Sequence, residues 1–295
     1  MNLLLIFELL LFAIMTAAIW LIAIRPRQIE KKASRDPFTE LTLRPPGEST
    51  RQKIQELDDK INDHFLWIFI AAAIAIGCAV GEEIETSKLG VSSFGFMLAA
   101  ILVSIAFSLE IRGLVKERAN YRLGFDGERQ TAQHLTLLIA DGFHIFHDVP
   151  FENANGKLFN IDHVVVGSTG VFAIETKARS KQTDYKGNQE VNYDGKQLRF
   201  PNFSESDSLE QIKAISETLR KELFRRTGEN VEVSPILTLP GWWINRQATD
   251  TEIIVLNSKE IRKHIKLMPR AGLNEKLFNQ IVGFLQEKSE IHPAK

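Results

Sequence analysis

Apolar positions are concentrated at the start of this chain. Leu3 to Ile24 is an apolar run broken only by Glu8 and Thr16, Phe65 to Val80 is a second, and Leu89 to Leu109 is a third. The outer two are long enough to cross a bilayer as helices, and the middle one is a little short. After Glu110 the pattern becomes that of an α/β domain. A helical period covers Phe125–Asp141, with Ala132, Leu135, Leu138 and Ile139 apolar and Gly142 as its stop. Strand patterns follow at His144–Phe151, Leu158–Gly167 and Val171–Arg179, then a hairpin over Glu190–Phe200 turning at Asp194-Gly195. Ser208 to Phe224 has helical spacing, Val231–Leu239 and Glu252–Leu256 read as buried strands, and helices are predicted from Asn257 to Ile265 and from Asn274 to Glu287. The fold class is α/β, a mixed central sheet flanked by helices, preceded by three transmembrane α-helices.

Charge sets the expected topology. Arg25, Arg27, Lys31, Lys32 and Arg35 follow the first run, Glu82, Glu83 and Glu85 separate the second from the third, and Arg112, Lys116, Arg118 and Arg122 follow the third. Basic flanks stay inside, which puts the N-terminus outside, the acidic loop outside, and the rest in the cytoplasm of an inner-membrane protein. The predicted divisions are a helix over 1–24, a basic linker over 25–64, a helical hairpin over 65–110, a juxtamembrane linker over 111–122, an α/β domain over 123–270, and a C-terminal helix and tail over 271–295. Without a basic leading segment, and with Arg25 and Arg27 directly after it, the first run reads as a retained helix rather than a signal peptide. The formal net charge of -1 gives no global argument for a nucleic-acid partner. Cys78 is the only cysteine and lies in an apolar run, so there is neither a disulfide framework nor a thiolate metal site.

The candidate chemistry lies on two strands. Asn160-Ile161-Asp162-His163-Val164-Val165-Val166-Gly167 and Gly170-Val171-Phe172-Ala173-Ile174-Glu175-Thr176-Lys177 flank Ser168-Thr169, a hairpin signal. If Ser168 and Thr169 form the loop, Gly167 pairs with Gly170, and the same register sets Asp162 opposite Glu175. Alternation puts Lys177 on the face of Glu175 and His163 on the opposite face, packed in the core. Two carboxylates roughly 5 Å apart on a sheet repel each other, and burial makes their joint ionisation costly. A divalent cation with a nearby ammonium removes the conflict; the alternative is a structural salt-bridge network.

This ordered set resembles the PD-(D/E)xK nuclease superfold, a restriction-endonuclease-like core. More specifically, it resembles the nuclease-related domain, NERD, over about Leu123 to Ile265. The matching residues are Gly124-Phe125-Asp126-Gly127-Glu128, the Asp162 strand, the Glu175-Thr176-Lys177 strand, Gln211 and Ile253-Ile254-Val255-Leu256. The resemblance implies that Asp162, Glu175 and the Thr176 carbonyl hold Mg²⁺ (or Mn²⁺), that Lys177 positions water or stabilises charge at phosphorus, that Glu128 assists at the metal, and that Gln211 orients Lys177 or a phosphate. The implied activity is phosphodiester hydrolysis of nucleic acid, DNA foremost, by a protein held in the bilayer. The competing class is a silent nucleic-acid-binding or scaffold module. Glu128 also fits a helix-dipole role, Gln211 an ordinary polar helix face, and Trp242-Trp243 either packing or base stacking.

Overall fold

The computed structural model describes residues 42–86, 90–152, 156–181, 190–248, 251–269 and 271–291. The expected helix over 1–24 and most of the linker after it lie outside the described residues. The elements in chain order are β1 (Thr42–Leu43), α1 (Glu48–Thr86), α2 (Val91–Thr136), β2 (His144–Glu152), β3 (Leu158–Gly167), β4 (Gly170–Thr176), β5 (Glu190–Tyr193), β6 (Leu198–Arg199), β7 (Ser204–Glu205), α3 (Asp207–Thr227), β8 (Val233–Thr238), β9 (Trp243–Arg246), β10 (Ile254–Leu256), α4 (Ile261–Leu267), α5 (Glu275–Ser289) and β11 (Glu290–Ile291). Two compact units result: one holds Ile54–Ala119, the other residues 42–53 together with the chain from Asn120 onward.

In the first unit, α1 and α2 supply two helical stretches long and apolar enough to cross a membrane. Phe65, Trp67, Phe69 and Ile74 on α1, and Phe94, Leu98, Ile101 and Ile105 on α2, turn outward. Arg118 grips Asp58 through Nε and Nη2, and His64, further along α1, meets Glu110, earlier on α2, at 2.6 Å, so these helices run antiparallel. One expectation needs correcting. The linker predicted at 111–122 is helix, and α2 continues unbroken from Val91 to Thr136. Gly113 is the only poor helix former in that stretch, and one glycine costs only about 1 kcal/mol. Likewise, the helical piece predicted after Pro45-Pro46-Gly47 and the apolar run at Phe65 form one helix.

The second unit is built on a five-stranded mixed sheet ordered β10-β8-β4-β3-β2. β10, β8 and β4 are parallel, while β4, β3 and β2 are antiparallel. Alternation along the strands fills two cores. Val164, Val166, Val171 and Ala173 face Leu209, Ile212, Leu219 and Leu223 of α3 and Ile281 and Leu285 of α5. Val165, Phe172 and Ile174 face Leu135 of α2, Leu138 just after it, and Ile261 and Ile265 of α4. A second sheet, β7-β6-β5-β9, contains the predicted Asp194-Gly195 hairpin. Its β9 and the short β1–β11 pair were not foreseen. Gly142 ends the helical stretch in a left-handed conformation, φ 84°, and Asn274 caps α5 by accepting from the Leu277 N–H at 2.8 Å.

Candidate active site

The β3–β4 register is the one the turn predicts: Gly167 pairs with Gly170, and the ladder runs back to His163 opposite Ile174. Asp162 and Glu175 are the next residues in that register. The backbone ladder stops there, because Asp162 Oδ2 accepts from the Thr176 N–H at 2.7 Å. On β4, Glu175 Oε1 accepts from Lys177 Nζ at 2.6 Å and from Gln211 Nε2 at 2.9 Å. Gln211 reaches it from the first turns of α3, whose opposite face is anchored in the core by Leu209, Ile212 and Ile215. Asp162, Glu175, Lys177 and Gln211 therefore converge.

Glu128 comes to the same place from α2. The approach depends on Gly127, where an added Cβ would lie 2.8 Å from the Ala178 Cβ. One turn on, the hydroxyl of Thr131 lies 3.2 Å from that of Thr176 and 3.3 Å from that of Thr238. This buried threonine triangle pins α2 to the ends of β4 and β8. Thr176 thus has its side chain committed to the scaffold, while Thr238 reaches the Glu175 carbonyl at 3.4 Å.

The acids are electrostatically stressed. Burial, then the charges of Asp148 and Glu175, push Glu128 up to about 7, against the pull of a Thr50 hydroxyl hydrogen bond and of Lys177. Asp162 keeps some surface exposure, yet the packing around its carboxylate, with Glu175 and Glu128 adding to it, holds it well above the usual carboxylate range. Glu175 is raised by burial and drawn back by Lys177. Its second oxygen, Oε2, is buried without a hydrogen-bond partner.

Asp148, the residues that hold it and Thr50 were missed by sequence reasoning and belong to this setting. Asp148 on β2 lies between the pairs His147–His163 and Val149–Ile161, in the register position facing Asp162. The acids Asp148, Asp162 and Glu175 thus occupy neighbouring positions across three strands. Asp148 is 1% exposed and has φ 49°, a left-handed conformation that Asp tolerates better than most residues. It is held by Arg44 Nη2 at 2.5 Å, Asn160 Nδ2 at 3.0 Å, and the backbone N–H of Ser49 at 3.1 Å. Thr50 Oγ1 donates to Glu128 Oε1 at 2.9 Å. The available signal was a charged residue at the centre of an apolar strand pattern.

Other expectations divide. His163 is fully buried, as alternation predicts, and shares a 2.8 Å Nδ1–Nδ1 hydrogen bond with His147; burial keeps its pKa low, and the adjacent His147 lowers it further. Trp242 packs edge-to-face on Phe200 with centroids 5.2 Å apart, whereas Trp243 is 69% exposed. A cleft of about 800 Å³ beside α3, lined by Glu210, Lys213, Glu217, Arg220 and Glu232, contains none of the predicted site residues.

The donor set suits a hard divalent cation, since it is all oxygen and includes an orphaned carboxylate oxygen. Among the described residues, no three His, Cys, Asp or Glu side chains converge into a ready metal cage. Two acids would need completing by a carbonyl and waters, as Mg²⁺ binding commonly is.

Two comparisons with known proteins bear on this chain. An uncharacterized protein of Bacillus anthracis is 32% identical over 76 residues, which make up 26% of this chain and 36% of that protein. The match therefore spans little more than a third of that relative. Residues 123–240 match the family model of the nuclease-related domain. That span includes Glu128, Asp162, Glu175, Lys177 and Gln211, so the converging acids, lysine and glutamine lie in a nuclease-related domain, NERD.

Proposed function

We propose that this chain is a membrane-anchored nuclease that hydrolyses phosphodiester bonds of nucleic acid, DNA foremost, with Mg²⁺ or Mn²⁺. The observation that carries the reading is Glu175. One of its oxygens is shared by Lys177 and Gln211, while the other is buried and unpartnered beside Asp162. Asp162, Glu175 and the Thr176 carbonyl would hold the cation. When bound, it supplies a lowered water pKa and a polarised phosphate oxygen. Lys177, only partly exposed, presents a positive charge where negative charge develops on phosphorus. Gln211 fixes the rotamer of Glu175. With a pKa near 7, Glu128 is suited to take up and return a proton. Among the described residues the site has no Ser–His pair for acyl transfer. In this reading three helices anchor the protein with its N-terminus outside, and the nuclease-related domain meets nucleic acid at the cytoplasmic face.

The missing third acid in the metal set favours one competitor, a scaffold that keeps the fold without cutting. The test uses the full chain in detergent micelles with Mg²⁺ or Mn²⁺ on DNA and RNA, comparing wild type with Asp162→Ala, Glu175→Ala and Lys177→Ala. Cleavage by wild type and its loss in all three variants is expected. Equal cleavage by all four proteins would refute the mechanism. No cleavage, with no cation binding by calorimetry, would establish the scaffold.

A further inference from the structure

The nuclease-related match begins at residue 123, but the site does not. Arg44 lies in the short segment that joins β1 to α1, and Ser49 and Thr50 lie in the first turn of α1, all outside that match. Gly47, with φ 74°, brings this segment so close that an added Cβ would lie 2.6 Å from the Phe125 ring and 3.4 Å from Glu128 Oε2. Any larger residue there would have to displace the Phe125 ring, and its Cβ would sit in contact with the Glu128 carboxylate. Glu48 is buried and is gripped by Arg51 at 2.6 and 2.9 Å and by Gln52 at 2.9 Å, which fixes the first turn of α1. The segment meets two of the site's acids with two different groups: the Arg44 and Ser49 pair takes Asp148, and Thr50 takes Glu128.

We infer that the first turn of α1 forms a wall of the candidate active site and that Thr50 is a positioning residue, its hydroxyl fixing the Glu128 carboxylate. The inference rests on the nuclease reading and goes beyond it, because it places part of the site outside the nuclease-related domain. The geometry is specific. Glu128 Oε1 is occupied by Thr50, which leaves Oε2 as the oxygen free to act on a proton. Gly47 borders that second oxygen without contributing a side chain. Without the hydroxyl, the carboxylate rotates about its terminal torsion, a broad and soft coordinate. A general acid or base works only within hydrogen-bond reach of its proton, so freedom at this torsion lowers turnover rather than substrate binding.

The experiment is a double-mutant cycle on the full chain in detergent micelles. The proteins are wild type, Thr50→Val, Thr50→Ser, Glu128→Ala and Thr50→Val/Glu128→Ala, with an oligonucleotide substrate and Mn²⁺. Thr50→Val keeps the shape and removes the hydroxyl. It is expected to lower kcat about tenfold or more, the size of one hydrogen bond to a charged group, with KM unchanged. Thr50→Ser restores the hydroxyl and the rate, and in the Glu128→Ala background Thr50→Val has no further effect. A purely structural role would instead lower the melting temperature and activity alike in both backgrounds. Additive losses, or Ser behaving like Val, would overturn the inference while leaving the nuclease reading intact. If wild type cleaves nothing, the nuclease reading falls separately, and the same cycle is read as Mn²⁺ affinity by calorimetry. Absence of coupling there, or of Mn²⁺ binding altogether, overturns the inference too.

Discussion

Replacing Arg44 with methionine should destabilise the nuclease-related domain, although Arg44 lies outside it. Asp148 is 1% exposed, and Arg44 provides its compensating charge through Nη2 at 2.5 Å and Nε at 2.8 Å. Removing one partner of a buried ion pair costs about 3–5 kcal/mol, because the remaining charge stays buried. Here the Ser49 backbone N–H, its hydroxyl and Asn160 still donate to the carboxylate, which places the cost near the lower bound, about 3 kcal/mol. Against a typical total of 5–15 kcal/mol, that is a large share. The chain has two units, so a single unfolding transition is not the right measure. Hydrogen exchange of the β2 amides is, and they should exchange about a hundredfold faster at 1.4 kcal/mol per decade. Arg44→Met/Asp148→Asn removes both charges and should regain about half of the loss, as expected when a pair is deleted together. Unchanged exchange in Arg44→Met, or a double variant worse than Arg44→Met, would refute the assignment of Arg44 as the compensating charge.

Two further outcomes follow from burial. Glu128 is held near 7 when folded, against 4.5 for a free glutamate, so the folded state binds its proton more tightly. The resulting stability is present below the free value and is lost as pH rises through 7. At about 1.4 kcal/mol per unit, the metal-free protein should lose on the order of 3 kcal/mol over that window. Glu128→Gln should lessen the slope, leaving the part that Asp162 and Glu175 contribute; domain stability from hydrogen exchange with the same pH dependence in both proteins would exclude the assignment. Trp242, 4% exposed and donating through Nε1 to the Arg179 carbonyl at 3.2 Å, should cost about 3–5 kcal/mol when truncated to alanine, whereas Trp243→Ala should stay within about 0.5 kcal/mol. Comparable losses on thermal melting would contradict the packing described for the pair.

The sequence was most informative where the structure is local. The Ser168-Thr169 turn sets the β3–β4 register, and that register alone brings Asp162 level with Glu175. The apolar spacing of α3 turns Gln211 away from the buried stripe and toward Glu175. Asp148 and its partners were illegible for the opposite reason. Arg44 and Ser49 reach Asp148 across about a hundred residues of chain, and nothing in a polar stretch after a proline pair distinguishes a docked segment from a solvated one. Hydropathy marked where apolar character ends near Leu109, but it carries no information on whether the helix ends there. With no proline or glycine pair between 110 and 123, backbone hydrogen bonding continues α2 as far as the threonine triangle.

The charge balance around the site bears on why these acids are gathered at all. Asp148, Asp162, Glu175 and Glu128 are offset by Arg44 at one end and Lys177 at the other. The two inner acids, Asp162 and Glu128, have a backbone N–H and a hydroxyl for company rather than a cation. A network selected for stability alone would not leave three carboxylates raised, one of them with a buried, unpartnered oxygen, since each costs free energy that an apolar replacement would recover. Local conflicts of this kind persist at functional positions. The conflict also has a direction: the orphaned atom is a carboxylate oxygen, so a proton or an oxygen-seeking cation would relieve it. Arg44 already relieves Asp148 from within the chain, through a segment that the nuclease-related match leaves out. Among the described residues the cation in contact with this group is Lys177, on Glu175, and the divalent cation proposed above would supply the rest of the compensation for Asp162, Glu175 and Glu128.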